Sequence, residues 1–210
     1  MNQAKNTTRI LIVDDHAIVR MGLAAILGTK ADLEVVGDAE DGASAIQKAQ
    51  KLRPDVILMD IVMPEMDGAT ATTKILQLLP QTKVIILTSF GEADGIAHAL
   101  DAGASGALMK NIDYSELVNA IRAVMAGETV VAPEIRKMIN DMPPVPELSE
   151  RQRNILTSIS RGLTDADIAT QLKLSPYSVR EHITTIFNKL GAANKAEAVA
   201  IAARKQLLNT

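Results

Sequence analysis

The stretch Val56-Ile57-Leu58-Met59-Asp60-Ile61-Val62-Met63-Pro64-Glu65-Met66-Asp67-Gly68 decides the fold class. Its first four residues form an unbroken apolar run, preceded by Pro54-Asp55 and closed by Asp60. Such a short run fits a strand buried on both faces, as in a parallel sheet. Similar runs stand at 10–13, 33–36, 84–87 and 107–109, each bounded by Asp, Gly, Pro or Lys. Amphipathic segments lie between them. Ala71, Ile75 and Leu78 fall on one helical face, as do Leu117, Ile121 and Val124. Five strands interleaved with five helices predict an α/β domain with a doubly wound, five-stranded parallel sheet. Right-handed crossovers then bring the carboxyl ends of the strands to one edge.

The 210 residues suffice for two domains. Aromatic residues make up only 2 %, so the core must be aliphatic. No apolar run approaches the roughly 18–20 residues that span a bilayer, which excludes a membrane helix. The polar start reads as no signal peptide, and the absence of cysteine fits a cytoplasmic protein without disulfides. Net charge is −3 but uneven: residues 1–127 hold 11 basic against 16 acidic side chains, residues 148–210 hold 9 against 5. An acidic front and a basic back suggest different partners.

The alternation stops after Gly127. Residues 128–147 contain Pro133, Pro143, Pro144 and Pro146 and read as a semi-rigid linker, with a short helix over 134–141. From Ser149 every signal is helical. Ser149 with Gln152 forms a capping box before Ile155, Leu156 and Ile159, and Gly162 stops that helix. Thr164 caps a second helix carrying Ile168, Ala169 and Leu172. Ser175-Pro176 opens a third, which ends at Gly191. Asn194 with Glu197 opens a fourth, with Ala196, Val199, Ala200, Ala203 and Leu207 on one face. The expected organisation is an α/β domain at 8–127, a linker at 128–147 and an all-α four-helix domain at 148–208.

The strand ends carry the chemistry. Asp14 and Asp15 close the first strand, Asp60 the third, Thr88 the fourth and Lys110 the fifth. At about 4 Å and an effective dielectric near 20, each carboxylate pair repels by on the order of 4 kcal/mol. A fold keeps such a cluster when a cation belongs there, and all-oxygen ligands with room for water suit Mg²⁺. The metal and Lys110 would neutralise an incoming phosphoryl group, Thr88 would hydrogen-bond one of its oxygens, and a carboxylate would attack phosphorus.

Asp14-Asp15, Asp60, Thr88 and Lys110, with Met63-Pro64 and Asp67-Gly68, resemble over residues 9–126 the flavodoxin-like receiver domains of two-component systems. The resemblance implies that Asp60 accepts the phosphoryl group. It implies that Asp15, Asp60 and the Val62 carbonyl bind Mg²⁺, with Asp14 assisting. Three positions depart from the pattern. Ala107 stands where an aromatic usually swings inward as the threonine engages phosphate, so weak coupling and some DNA binding before phosphorylation are expected. Asn111 follows the lysine in place of proline. Val62 and Phe90 stand where polar side chains often meet the hydrolytic water, so slow phosphate loss is expected.

In the third C-terminal helix Val179, Ile183, Ile186 and Leu190 form a buried stripe. Arg180, Glu181, Thr184 and Asn188 face away from it and suit base edges and phosphates. The preceding short helix, joined through Lys173-Leu174-Ser175, completes a helix-turn-helix. Residues 148–208, from Leu148-Ser149-Glu150-Arg151 through Val179-Arg180-Glu181-His182 to Lys189-Leu190-Gly191, resemble a LuxR-type DNA-binding domain. Together the two resemblances describe a NarL/FixJ-type response regulator. Thr185, His182, Lys173 and Lys189 then join the expected DNA contacts. A sensor histidine kinase, double-stranded DNA, RNA polymerase and a second copy of the chain are the implied partners, and a homodimer on DNA the implied assembly.

An aspartate-nucleophile phosphatase of the haloacid dehalogenase type needs a general acid two residues after the nucleophile. Val62 cannot transfer a proton, so the chain is not expected to be an enzyme. A receiver acting unphosphorylated as a scaffold is the other alternative, and Ala107 keeps it open.

Overall fold

The computed structural model describes residues 7–89, 92–142, 147–205 and 207–208. The expectations attached to Phe90 and to Pro143, Pro144 and Pro146 lie outside the described residues. The chain divides into two compact units, Met1–Met142 and Pro143–Thr210.

In the first unit the apolar runs become β1 (Thr8–Val13), β2 (Leu33–Ala39), β3 (Val56–Asp60), β4 (Lys83–Thr88) and β5 (Gly106–Met109). Side chains alternate across the sheet with the period of two that a strand imposes. Leu11, Val13, Ile57, Met59, Val84 and Ile86 serve one core cluster. Ile10, Ile12, Val56, Leu58, Ile85 and Leu87 serve the other. Helices α2 (Gly42–Leu52), α3 (Gly68–Leu78) and α4 (Ala93–Asp101) cover the first face. Helices α1 (Ala17–Leu27) and α5 (Tyr114–Met125) cover the second. Gly68 is required at the start of α3, because a Cβ there would lie 1.8 Å from the Asp60 carbonyl oxygen. Its amide donates to the Ile61 carbonyl at 2.9 Å, which folds the loop tightly beneath Asp60.

The sheet has six parallel strands in the order β2-β1-β3-β4-β5-β6, where five were expected. The sixth, β6 (Val130–Val131), pairs Val130 with Gly106 and Val131 with Ala107. It gives the otherwise open edge of β5 its hydrogen bonds: Val130 N–H to the Ser105 carbonyl at 3.1 Å and Ala132 N–H to the Ala107 carbonyl at 3.0 Å. Next comes α6 (Pro133–Asn140), with Ile135 fully buried in the same cluster as Ile96, Ala99 and Ala107. Residues 128–142, read as the beginning of a linker, therefore belong to the first unit. A two-residue strand carries too little periodicity to be read from sequence. A smaller correction concerns α3, where Ala71 and Ile75 are buried but Leu78 is 49 % exposed and Leu79 takes the inward place.

The second unit holds α7 (Glu150–Ser160), α8 (Asp165–Leu172), α9 (Pro176–Leu190) and α10 (Lys195–Arg204). Ser149, Thr164, Ser175 and Asn194 each cap a helix by accepting a backbone N–H. At α7 and at α8 the cap is a full box, with Gln152 and Asp167 answering. Such caps are each worth about 1 kcal/mol, which matters in a unit with one small aliphatic core. The expected stripe of Val179, Ile183, Ile186 and Leu190 is buried. In α10 the inward face is Ala198 and Ala202, with Val199 half-buried, while Ala196, Ala200 and Ala203 are exposed. The expected face was therefore rotated, because an alanine-rich helix offers little contrast between its sides.

Because α6 is part of the core, Ile135→Ala should destabilise the first unit by about 2–5 kcal/mol. Urea denaturation followed by circular dichroism measures this, and an unchanged midpoint would mean that α6 is only loosely attached.

Candidate functional site

Three parallel strands deliver the acidic site. Asp14 follows β1, Asp60 ends β3 and Thr88 ends β4, and all three are buried. Lys110 follows β5, its amide donating to the Thr88 carbonyl at 2.7 Å, so the two residues are fixed together. The Lys110 ammonium lies 2.8 Å from Asp14 Oδ2 and 2.7 Å from Asp60 Oδ2. Arg20 donates to the Asp14 carbonyl at 2.7 Å and to Asp38 at 2.7 Å, which ties α1 to this edge. Burial holds the Asp60 carboxyl above its ordinary pKa, outweighing Lys110, and the charges of Asp14 and Glu92 add to the rise. Burial also works against the Lys110 ammonium, but its hydrogen bonds and charge pairing with Asp14 and Asp60 prevail and raise its pKa.

Sequence reasoning named Asp14, Asp15, Asp60, Thr88 and Lys110, and the fold brings them to one edge. It missed two neighbours. His16 places Nδ1 2.6 Å from Asp15 Oδ1 and 3.3 Å from Asp14 Oδ1. Glu92, just before α4, accepts a hydrogen bond from the Thr88 hydroxyl, which also reaches the Ser89 carbonyl at 3.1 Å. The adjacency of His16 to Asp15 was a usable signal; nothing in the sequence tied Glu92 to Thr88. Val62 is 57 % exposed, with no polar group on its side chain.

One donor atom each from Asp14, Asp15, His16 and Asp60 lie within 4.8 Å of one another. Carboxylates so close, two of them buried, form an acidic pocket consistent with a divalent-cation site.

In the second unit Arg180, Glu181 and Thr184 are exposed on α9, and His182 is half-buried. Glu181 accepts from the Tyr177 hydroxyl at 3.0 Å. The Thr184 and Thr185 hydroxyls bond back to the carbonyls of Arg180 and Glu181, at 3.0 and 2.9 Å. Lys173 is exposed at the end of α8 in the left-handed conformation, φ 54°. Lys189 is engaged elsewhere, donating to the Glu147 carbonyl at 2.7 Å and to Gln152 Oε1 at 3.1 Å. Tyr177, 70 % exposed beside Glu181, is a surface group that hydrophobic periodicity did not single out.

The ion triad gives a direct test. Lys110→Met leaves two buried carboxylates without a counter-charge. Lys110 is 20 % exposed, so the loss should be about 2–3 kcal/mol at pH 7.5, below the range for a fully buried pair. A carboxyl whose folded pKa is raised disfavours folding above that pKa, and this penalty vanishes as pH falls through it. The deficit of the variant should therefore shrink as pH is lowered toward the carboxyl range, in paired urea titrations. A deficit independent of pH would argue that Lys110 acts through packing alone.

Two family models match the chain. The response regulator receiver domain matches residues 10–122, and the luxR family of bacterial regulatory proteins matches residues 146–202. The response regulator protein VraR of Staphylococcus aureus is 40 % identical over 207 residues, 96 % of this chain and 99 % of its own length. The crystal structure of the response regulator ChrA, from a heme-sensing two-component system, is similar with a TM-score of 0.58 and 35 % identity. That likeness covers 97 % of this chain and 100 % of ChrA. RcsB from Salmonella enterica serovar Typhimurium, bound to a promoter in the presence of the phosphomimetic BeF₃⁻, shares the fold. Its TM-score is 0.69 at 24 % identity, over 95 % of this chain and 99 % of that one. No helix among the described residues is long and apolar enough to cross a membrane. The chain belongs to the response regulators: it is a phosphorylation-regulated, DNA-binding transcription regulator of the LuxR/NarL type, not an enzyme.

Proposed function

We propose that Asp60 is the phosphoacceptor and that its phosphorylation by a sensor histidine kinase controls DNA binding by the second unit. The observation that carries this reading is the Lys110 ammonium shared between Asp14 and Asp60 at the strand edge. An Asp60 oxygen attacks phosphorus, the bond from phosphorus to the donor imidazole nitrogen breaks, and an acyl phosphate forms on the carboxylate. Asp14, Asp15, Asp60 and the Val62 carbonyl are the residues to hold Mg²⁺, whose charge would offset that of the transferring group. Lys110 supplies a fixed positive charge beside the acceptor. Thr88 must leave Glu92 to donate to a phosphoryl oxygen, so phosphorylation favours a rearrangement at the start of α4.

The functional limits we assign are 8–127 for the receiver and 148–208 for the DNA-binding domain, with β6 and α6 between them completing the receiver's sheet and core. The exposed Val62 offers no hydrogen bond to a hydrolytic water, which supports a long-lived phosphate. On DNA the protein works in the cytoplasm as a homodimer over two half-sites about one helical turn apart, where it can engage RNA polymerase. Helix α9 enters the major groove. There Arg180 pairs with guanine or grips phosphate and Glu181 accepts from cytosine. Thr184, Thr185, His182 and Lys173 contact the groove edge and backbone. Lys189 joins them only by giving up a bond to Glu147 or Gln152.

Incubation with acetyl phosphate and Mg²⁺ should add one phosphoryl group by intact-mass spectrometry, and Asp60→Asn should add none. Val62→Asn should shorten the phosphate's lifetime. A phosphoryl group on the Asp60→Asn protein would overturn the assignment.

For the DNA side, Arg180→Ala should weaken specific binding by about 1–3 kcal/mol by fluorescence anisotropy, with the helical spectrum unchanged. With roughly three phosphate contacts per subunit, affinity should fall about a thousandfold between 50 and 200 mM salt. Full affinity in the variant would remove Arg180 from the interface.

A further inference from the structure

His16 is placed at the acidic site without a task in phosphoryl transfer. It stands at the N-terminal boundary of α1 in extended backbone geometry, φ −85° and ψ 107°, and its side chain makes no capping bond with the helix. Its amide donates to Asp14 Oδ1 at 2.9 Å, which holds the loop against the strand end. The imidazole is 69 % exposed, yet Nδ1 turns inward to Asp15 Oδ1 at 2.6 Å and Asp14 Oδ1 at 3.3 Å. The two oxygens of Asp14 are divided between partners: Oδ2 faces Lys110 and Oδ1 faces His16. An ion entering on the Oδ1 side meets nitrogen as well as oxygen without displacing the lysine.

We propose that His16 Nδ1 is a further protein ligand of the cation site, and that the site therefore selects Mn²⁺ and later first-row divalent ions over Mg²⁺. The proposal rests on the reading of Asp14, Asp15 and Asp60 as the cation site. Donors about 2.1 Å from one ion sit roughly 3 Å apart when adjacent and about 4.2 Å apart when opposite. A set in which no pair exceeds 4.8 Å, with the nitrogen 2.6 and 3.3 Å from two of the oxygens, closes on one ion after small adjustments. Mg²⁺ prefers oxygen and retains water, whereas imidazole nitrogen suits transition ions. A purely carboxylate site discriminates weakly; one nitrogen adds affinity along the series from Mn²⁺ upward and little for Mg²⁺. The competing account is a surface pair between His16 and Asp15. Such an exposed pair contributes little and would bring no metal preference.

Titration calorimetry on the full chain separates the accounts. MnCl₂ and MgCl₂ are titrated separately into the wild-type, His16→Ala and Asp15→Asn proteins. His16→Ala should lose on the order of tenfold or more in Mn²⁺ affinity, since even outer-shell partners are worth about 10–100-fold. Its Mg²⁺ affinity should stay within about twofold. Electron spin echo spectroscopy of bound Mn²⁺ should show ¹⁴N coupling in the wild type and none in His16→Ala. Thermal melting confirms that each variant is folded. Equal Mn²⁺ affinity in wild type and His16→Ala, or absence of ¹⁴N coupling, overturns the proposal. If Asp15→Asn then still abolishes binding of both ions, the acidic-site reading stands and only the role of His16 falls. If Asp15→Asn binds both ions as the wild type does, the acidic-site reading itself fails.

Discussion

The ammonium of Lys110, held between Asp14 and Asp60, is the interaction on which the rest of the first unit's design depends. Two carboxylates buried at the ends of neighbouring strands repel, and burial penalises their charge. One cation reaching both of them makes the arrangement tolerable without removing its reactivity. The backbone around the site is tightly packed as well. Gly68 must lack a Cβ to let α3 begin against the Asp60 carbonyl, and the Lys110 amide is pinned to Thr88. A site that is electrostatically unfavourable when empty of further cations is a site that binding can shift, since a ligand moves an equilibrium only by stabilising one state over another.

The same logic extends to the far edge of the sheet. Ala107 sits where receivers usually carry an aromatic, and the lack of that ring led to the expectation of weak coupling. The structure places Ala107 in the core, paired through its backbone with Val131 and sharing a cluster with Ile96, Ala99 and Ile135. A small residue here lets β6 and α6 close over the edge of β5. The element leading out of the first unit is thus packed directly against β5 and α4, and Thr88 touches Glu92 at the start of α4. Contacts run from Thr88 through Glu92 and α4 to α6 without any aromatic.

In the second unit four capped helices enclose one aliphatic core, and the polar side of α9 is left free of packing duties. Its hydroxyls bond to their own helix and its glutamate to Tyr177, while Arg180 stays exposed on the same face. Lys189, by contrast, ties α9 to the residues leading into α7. A basic side chain on the correct helix is not for that reason available to phosphate.

The sequence by itself determined the two-unit plan, the first five strands, the caps of the second unit's helices and the strand-end residues Asp14, Asp15, Asp60, Thr88 and Lys110. These features are local or periodic: short apolar runs bounded by polar residues, Ser or Thr three residues before a partner, carboxylates at strand ends. The tertiary structure decided what depends on distant partners. Strand β6 exists because β5 offers unpaired backbone groups, and two valines cannot announce that by pattern. Leu78 turned outward while Leu79 is buried, and α10 buries Ala198 and Ala202, which its alanine-rich sequence could not announce because it offers almost no contrast between faces. His16 and Glu92 joined the site through local contacts, His16 with Asp14 and Asp15 after β1 and Glu92 with Thr88 after β4. Adjacency in sequence hinted at the first; Glu92 lies only four residues after Thr88, a spacing that by itself marks no contact.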